Sequence, residues 1–492
     1  MATVDSERLE DLARDALANG TEEAALVELA PAAEKAGSAR LWQFTGLLQR
    51  SLDRHAEALR SFTAAARLAP DDVSIAQGLA RVALEAGVDA VPLFERALQL
   101  DPSSGGSLLG LVASKFATGR GGEAEAQLDL VVGRSPNWID GHAQLGQLRS
   151  MLGRPEQATL SIERALLGRP GDESLWTALL NLTLTRADFA SLDEQVDRAR
   201  SAHLPEATIM PFEAVAATEL GQVDRADRLF ESLGASARGA MAVWHVRHLL
   251  RANRAEHAVA LIDRELEGER AADLWPYASI AWRLAGDPRS DWLESGGNLV
   301  ATFDLTDRLP PLDRLAEVLR PLHATAGQYL DQSVRGGTQT DGPLLSRIEP
   351  EIHALRAAIV GAVEKYRTQL PAIDPKHPTL KRPRDARVRF SGSWSVRLPG
   401  AGYHVNHVHP QGWISSAFYV ALPDRSADEL PHTGWLKIGE PPAGLGVDAP
   451  PVQVIEPLAG RLVLFPSWMW HGTVPFAAGE RLTVAFDVQV PK

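Results

Sequence analysis

LWQFTGLLQRSLDRHAEALRSFTAAARLAP, residues 41–70, ends on a proline that recurs at 102, 136 and 170, at spacings of 32, 34 and 34 residues. A near-constant period of that length means one supersecondary unit repeated along the chain. Counting back from Pro70 finds Gly46, Ala58 and Ala65 where paired helices must approach closely, with Trp42 and Phe62 as the large residues that fill the gaps between them. The same offsets give Gly78, Ala90, Phe94 and Ala97 from Pro102, and Gly146, Ala158, Ile162 and Ala165 from Pro170. Counted from Pro136, only Ala124 and Leu128 are kept. Weaker copies follow with Ala226 and Phe230, then Ala258 and Ile262, and the residues before 39 read as an opening helix pair. That makes about eight units, four of them ended by a proline, which cannot continue a helix.

Trp42, Gly46, Ala58, Phe62 and Ala65 ahead of Pro70 closely resemble the tetratricopeptide pattern. The resemblance implies an all-α solenoid whose stacked helix pairs leave a concave surface for a protein or peptide segment. A purely structural role, in rigidity or dimerisation, is the alternative. The pattern fades after LWPYASIAWRLAGDPRSDW, residues 274–292, which sets the array at 1–295.

Beyond the array the texture changes twice. Ile348, Ile352, Leu355, Ile359, Val363 and Tyr366 recur at three- and four-residue spacing and predict one amphipathic helix over 345–368, inside a mixed connecting region, 296–386. From Arg387 onward the runs VRFSGSW, SSAFYVAL, GWLKI, RLVLF and RLTVAFDVQV, bounded by Gly and Pro, read as strands of an all-β sandwich or barrel over 387–492.

Charge and composition narrow the chemistry. With 50 Lys plus Arg against 63 Asp plus Glu, a net charge of −13 argues against a general nucleic-acid binder. There is no cysteine, so a metal must be held by His, Asp or Glu. The N-terminal stretch MATVDSERLEDLARDALANG is acidic and amphipathic and no apolar run approaches about 18 residues. Neither a signal peptide nor a membrane span is expected, and the expected location is cytoplasmic; the oligomeric state is left open.

Three histidines stand out, His407 and His409 in HVNHVHP and His471 in FPSWMWHGT. Spacing of two on a strand or strand end puts the first pair on one face, and the third closes a strand some sixty residues on, where a rolled sheet can return. His404, three residues from His407, should point to the other side. On RLTVAFDV, Arg481 and Thr483 share one face, opposite Leu482, Val484 and Phe486. A buried guanidinium there suits a dicarboxylate, whose carboxylate its planar fork can bond twice. Alternatively Arg481 lies on the surface, paired with Glu480.

Taken together, H-x-H, a distal His and an Arg ten residues later resemble the Fe(II)/2-oxoglutarate oxygenase family, whose usual motif is H-x-D, H and R on a double-stranded β-helix, or jelly roll. PGAGYHVNHVHP, SSAFYVALP, TGWLKI and PLAGRLVLFPSWMWHGTVPFAAGERLTVAFDV follow the strand order of its prolyl-hydroxylase-like branch. The resemblance implies His407 and His471 as iron ligands and Arg481, Thr483 and Tyr419 around the distal carboxylate of 2-oxoglutarate. O2 would be the second cosubstrate, and the activity hydroxylation of a protein or peptide recruited by the array. His409 stands where the family has its Asp ligand, so the iron site would carry one positive charge more. A three-His dioxygenase without 2-oxoglutarate, an adaptor with an inactive metal-holding barrel, and an oxygenase acting on a small molecule are the alternatives. Trp413, Trp435, Trp468 and Trp470 form either a substrate wall or ordinary packing, SVRGGTQTDG (333–342) either a lid or a solvated connection, and Asn406 is a candidate to orient the ligands.

Overall fold

The computed structural model describes residues 5–323, 330, 332–424 and 430–491. Two compact units result, Met1–Arg134 with Asp341–His353, and Ser135–Thr340 with Ala354–Lys492. Among the described residues, eight helix pairs run from Ser6–Asn19 and Glu22–Ala36 to Ala242–Arg251 and Ala255–Glu265. A ninth pair, Ala271–Ala285 with the short Arg289–Glu294, ends the series. Among the described residues no helix is long and apolar enough to cross a membrane.

The proline period has a direct structural meaning. Helices end at Leu68, Leu100, Arg134 and Gly168, and in each case the proline stands two residues further on. That is where a residue without an N–H and with fixed φ stops propagation at no cost to the helix. In the first unit the Phe62 ring is buried between two glycines: a Cβ on Gly46 would lie 2.6 Å from it, and one on Gly78 only 2.3 Å. Phe94 repeats the arrangement against Gly110, at 2.2 Å. Counting from Pro136 looks for that glycine at position 112, where the chain has Val112, so Gly110 escapes the sequence pattern.

Among the described residues of the second unit, eleven strands form three antiparallel sheets. They are β1 Ala301–Asp304, β2 Val334–Arg335, β3 Thr338–Gln339, β4 Phe390–Leu398, β5 Tyr403–His404, β6 Gly412–Ala421, β7 Leu436–Ile438, β8 Gln453–Ile455, β9 Arg461–Pro466, β10 His471–Thr473 and β11 Arg481–Gln489. The largest sheet runs β1-β9-β6-β11-β4-β3, the second β10-β7-β8, the third β2-β5; none closes on itself. β11 is its central strand, with Leu482, Val484 and Phe486 fully buried on one face. β1 and β3 come from the stretch ahead of residue 387 and complete the sheet's two edges.

The amphipathic helix is Pro350–Gln369, with Leu355, Ile359, Val363 and Tyr366 buried and the Tyr366 hydroxyl donating to Leu299 O at 2.6 Å. It begins five residues later than the spacing predicts, leaving Ile348 39% exposed ahead of it. Pro350 accounts for the shift, since it is tolerated only in the first turn and disfavours helical φ/ψ in the residue before it. Within this unit the last helices of the array meet the sheets through indoles. Trp470 Nε1 donates to Pro276 O at 2.9 Å, with Tyr277 edge-on to its ring. His377 Nδ1 accepts from Thr379 N and Leu380 N, so its Nε2–H donates to Leu293 O at 2.8 Å.

Candidate metal centre

β5 stops at His404, and the chain to Gly412 follows no regular strand. Two sets of backbone hydrogen bonds nevertheless fix it. His407 N donates to His471 O at 2.9 Å, His471 N returns to His407 O at 3.0 Å, and His409 N donates to Ser467 O at 2.9 Å. This bridge to the head of β10 needs close approach, and Gly472 allows it, because a Cβ there would lie 2.0 Å from Asn406 Oδ1. As a result one ring nitrogen each of His407, His409 and His471 lies within 4.8 Å of the other two.

The second nitrogen of each ring says which one is free. His407 Nδ1 is 2.8 Å from Val405 O, and His471 Nδ1 is 3.0 Å from Met469 O. A carbonyl only accepts, so each Nδ1 carries the proton and each Nε2 keeps its lone pair. His409 Nδ1 is 2.5 Å from Asp487 Oδ2, which has the same consequence. Burial, aided by the neighbouring imidazoles, holds His407 well below the ordinary histidine range and pushes His471 down to about 3. At neutral pH these two rings are uncharged electron-pair donors.

Asp487 and Trp394 complete the surroundings of His409. Asp487 is 8% exposed and takes a second hydrogen bond from Ser415 Oγ at 2.5 Å; the Trp394 ring stacks on His409, centroids 5.5 Å apart and planes within 15°. Neither stands out in the sequence, although Asp487 lies on the alternation that carries Arg481 and Thr483. A lone acid in an otherwise apolar strand is the signal that would have found it.

On β11 the predicted face is realised, with Arg481, Thr483, Ala485 and Asp487 all lining one cavity of about 570 Å3 together with the three histidines. Arg481 is 3% exposed, donates from Nη1 to Gly434 O at 2.6 Å, and lies over the Tyr419 ring. Glu480 is engaged elsewhere, with Arg320 at 2.8 Å and Arg397 at 2.7 Å. Among the described residues no carboxylate pairs with Arg481. Burial pushes its guanidinium down and the Tyr419 phenol up, the latter against the pull of the Arg481 charge. Tyr419 stands opposite Thr483 in the β6–β11 register, and its hydroxyl is buried beside the Arg481 guanidinium, with no acceptor for its proton among the described residues.

Other expectations need correction. His404 lines the same cavity, its ring stacked on that of His407 at 6.0 Å. Strict alternation fails because residues 405–407 leave the strand. Trp413, Trp468 and Trp470 are buried in packing, and none of these three nor Trp435 lines the cavity, which has Trp394 instead. Residues 333–342 carry two short strands that belong to different sheets, β2 pinned to β5 and β3 to β4, with Ser333 and Gln339 lining the cavity. Asn406 bonds Glu440 and the Pro441 carbonyl and touches the centre only through its packing over Gly472.

Comparison with known proteins matches two separate stretches of the chain. Residues 88–148 match the tetratricopeptide repeat family. Solved structures with some likeness include a tetratricopeptide repeat protein from Parabacteroides merdae, 18% identical over 48% of this chain and 94% of that one, TM-score 0.30. Another is YrrB, titled a repeat protein with an unusual peptide-binding site, 17% identical over 37% and 96%, TM-score 0.25. Scores this low carry no argument of their own. No curated protein matches the chain significantly. Residues 392–487, which hold all six predicted site residues, match the model of the family described as "Putative 2OG-Fe(II) oxygenase", so a stretch similar to that family follows one similar to tetratricopeptide repeats.

Proposed function

We propose that the chain is an Fe(II)- and 2-oxoglutarate-dependent oxygenase that hydroxylates a protein or peptide brought to it by the repeat array. One observation carries the reading: a buried arginine with no counter-anion among the described residues shares a cavity with three imidazoles, one ring nitrogen of each lying within 4.8 Å of the other two. A buried cation left unpaired is costly, so the site is built for an anion. His407, His409 and His471 would hold the metal; Arg481, the Tyr419 hydroxyl and Thr483 would hold the far carboxylate of the cosubstrate. When bound, Fe(II) and 2-oxoglutarate supply the oxidative chemistry with O2. The chain's own residues set positions. Carbonyls of Val405 and Met469 fix two ligand tautomers, Arg481 orients a dicarboxylate, and Phe465, packed 4.7 Å from His471, helps to exclude water.

The fold of the family is part of the same proposal. With the His407–His471 bridge counted, one sheet runs from the His407 segment through β10 and β7 to β8, and the other runs β4-β11-β6-β9. Apart from the β7–β8 pair, which stays in one sheet, the strands from β4 to β11 pass back and forth between the two sheets, which supports reading them as a double-stranded β-helix. On this reading 1–295 recruits, 296–386 supports and 387–492 carries the chemistry.

The test is anaerobic reconstitution of the full chain with Fe(II), followed by O2-dependent conversion of 2-oxoglutarate to succinate. Stoichiometric iron with succinate formation is expected. Iron binding with no turnover in the presence of candidate peptides would favour an adaptor carrying an inactive barrel.

A further inference from the structure

We infer that Asp487 supplies, one imidazole removed from the metal, the negative charge that the position of His409 would otherwise bring as a carboxylate. The inference rests on the proposed metal centre and concerns how a three-histidine set is made to balance. Two neutral imidazoles and a carboxylate leave a divalent ion with one net positive charge; three neutral imidazoles leave two. Asp487 returns the count to one, through a hydrogen bond of 2.5 Å to His409 Nδ1.

Three features of the surroundings favour this role over simple packing. Asp487 is buried, and among the described residues neither Lys nor Arg pairs with it, so its only link to a cation is through the imidazole. A carboxylate can only accept, so the Ser415 hydroxyl proton goes to Asp487 Oδ1 and leaves Oδ2 for His409. Ser467 Oγ, 2.9 Å from Ser415 Oγ, is then left to donate to Ser415, which fixes the carboxylate plane. Trp394, stacked flat on His409, holds the ring in the plane of that hydrogen bond. A carboxylate on the far nitrogen of a ligating imidazole orients it and strengthens it as a donor. Asp487 is therefore a positioning residue, acting on the metal only through His409.

The test compares anaerobic Co(II) titrations of the full chain, as wild type, as Asp487→Asn, and as the double variant His409→Asp with Asp487→Asn, which moves the carboxylate onto position 409. Asp487→Asn should raise the Co(II) dissociation constant about tenfold to a hundredfold and shift the visible cobalt bands, with the melting temperature of the metal-free protein little changed. The double variant should recover most of the lost affinity, which a merely structural loss would not. Unchanged affinity and bands in Asp487→Asn, or no recovery in the double variant, would overturn the inference while leaving the metal centre intact. Failure of the wild type to bind Co(II) would remove the metal centre itself and the inference with it. Should Asp487→Asn not fold, NMR of Zn(II)-loaded, 15N-histidine-labelled wild type decides: a far-downfield Nδ1–H resonance from His409 supports the inference, and its absence overturns it.

Discussion

The guanidinium carbon of Arg481 lies 5.1 Å from the centre of the Tyr419 ring, and the hydroxyl of that tyrosine is buried beside it with no acceptor for its proton among the described residues. A cation without a counter-anion and a donor without an acceptor thus meet in one place. A carboxylate would satisfy both. Tyr419→Phe should weaken 2-oxoglutarate binding about tenfold, the worth of one hydrogen bond to a charged group, with Fe(II) binding unchanged. Because the phenolic proton has no acceptor, the same change should alter the stability of the cosubstrate-free protein little. Calorimetric titration and thermal melts check the two halves separately.

Two histidines compete for a role beside His407. His409→Ala should abolish stoichiometric iron, measured by metal analysis after anaerobic loading, whereas His404→Ala should retain it. His404 lines the cavity, but its Nδ1 is 3.1 Å from Ser333 Oγ and its ring lies outside the group of three. Iron kept by the first variant and lost by the second would exchange their roles.

In the array the test is packing. Phe62→Ala empties the space between Gly46 and Gly78 and should cost about 3–5 kcal/mol in chemical denaturation. Gly78→Ala should also destabilise, by about 1–3 kcal/mol, because the added methyl enters the Phe62 ring. A neutral outcome for both would mean that the helix pairs are not in contact at this phenylalanine.

Acid should weaken the second unit through His323. Burial first, and the Arg397 charge second, push this histidine down to about 4 from an ordinary value of 6.5. Its nitrogens meet Thr338 Oγ1 and Ser395 Oγ, each at 3.0 Å, and Glu480 is the nearby acid that pulls the other way. The neutral ring's contribution is complete above pH 6.5, where neither state is protonated, and is lost as pH falls toward 4, where only the unfolded chain binds the proton. The loss amounts to up to about 3 kcal/mol. Denaturation curves at pH 7 and 4.5 should differ less for His323→Gln than for the wild type.

How much of this could be read from the sequence depended on how far each signal reached. The repeat period persists across hundreds of residues, and the four prolines each mark a helix end. Gly110 was missed because the count from Pro136 runs two residues out of phase with it. The strand β11 was legible by alternation, down to the shared face of Arg481 and Thr483, while β2 and β3, two residues each, have no periodicity to read. His404 was misplaced by extending alternation through a segment that backbone bridges, not a strand, hold in position. Asp487 needed the folded register to bring it against His409, 78 residues away in sequence.

The claim that Arg481 anchors a dicarboxylate beside a three-histidine metal is tested most directly by one titration. 2-Oxoglutarate is added anaerobically to the Fe(II)-loaded wild type and to Fe(II)-loaded Arg481→Leu, following the metal-to-ligand charge-transfer absorbance. A saturable band in the wild type is expected, with a dissociation constant at least about tenfold higher in the variant at equal iron content. Equal affinities, or iron bound in the wild type with no band at all, would contradict the account.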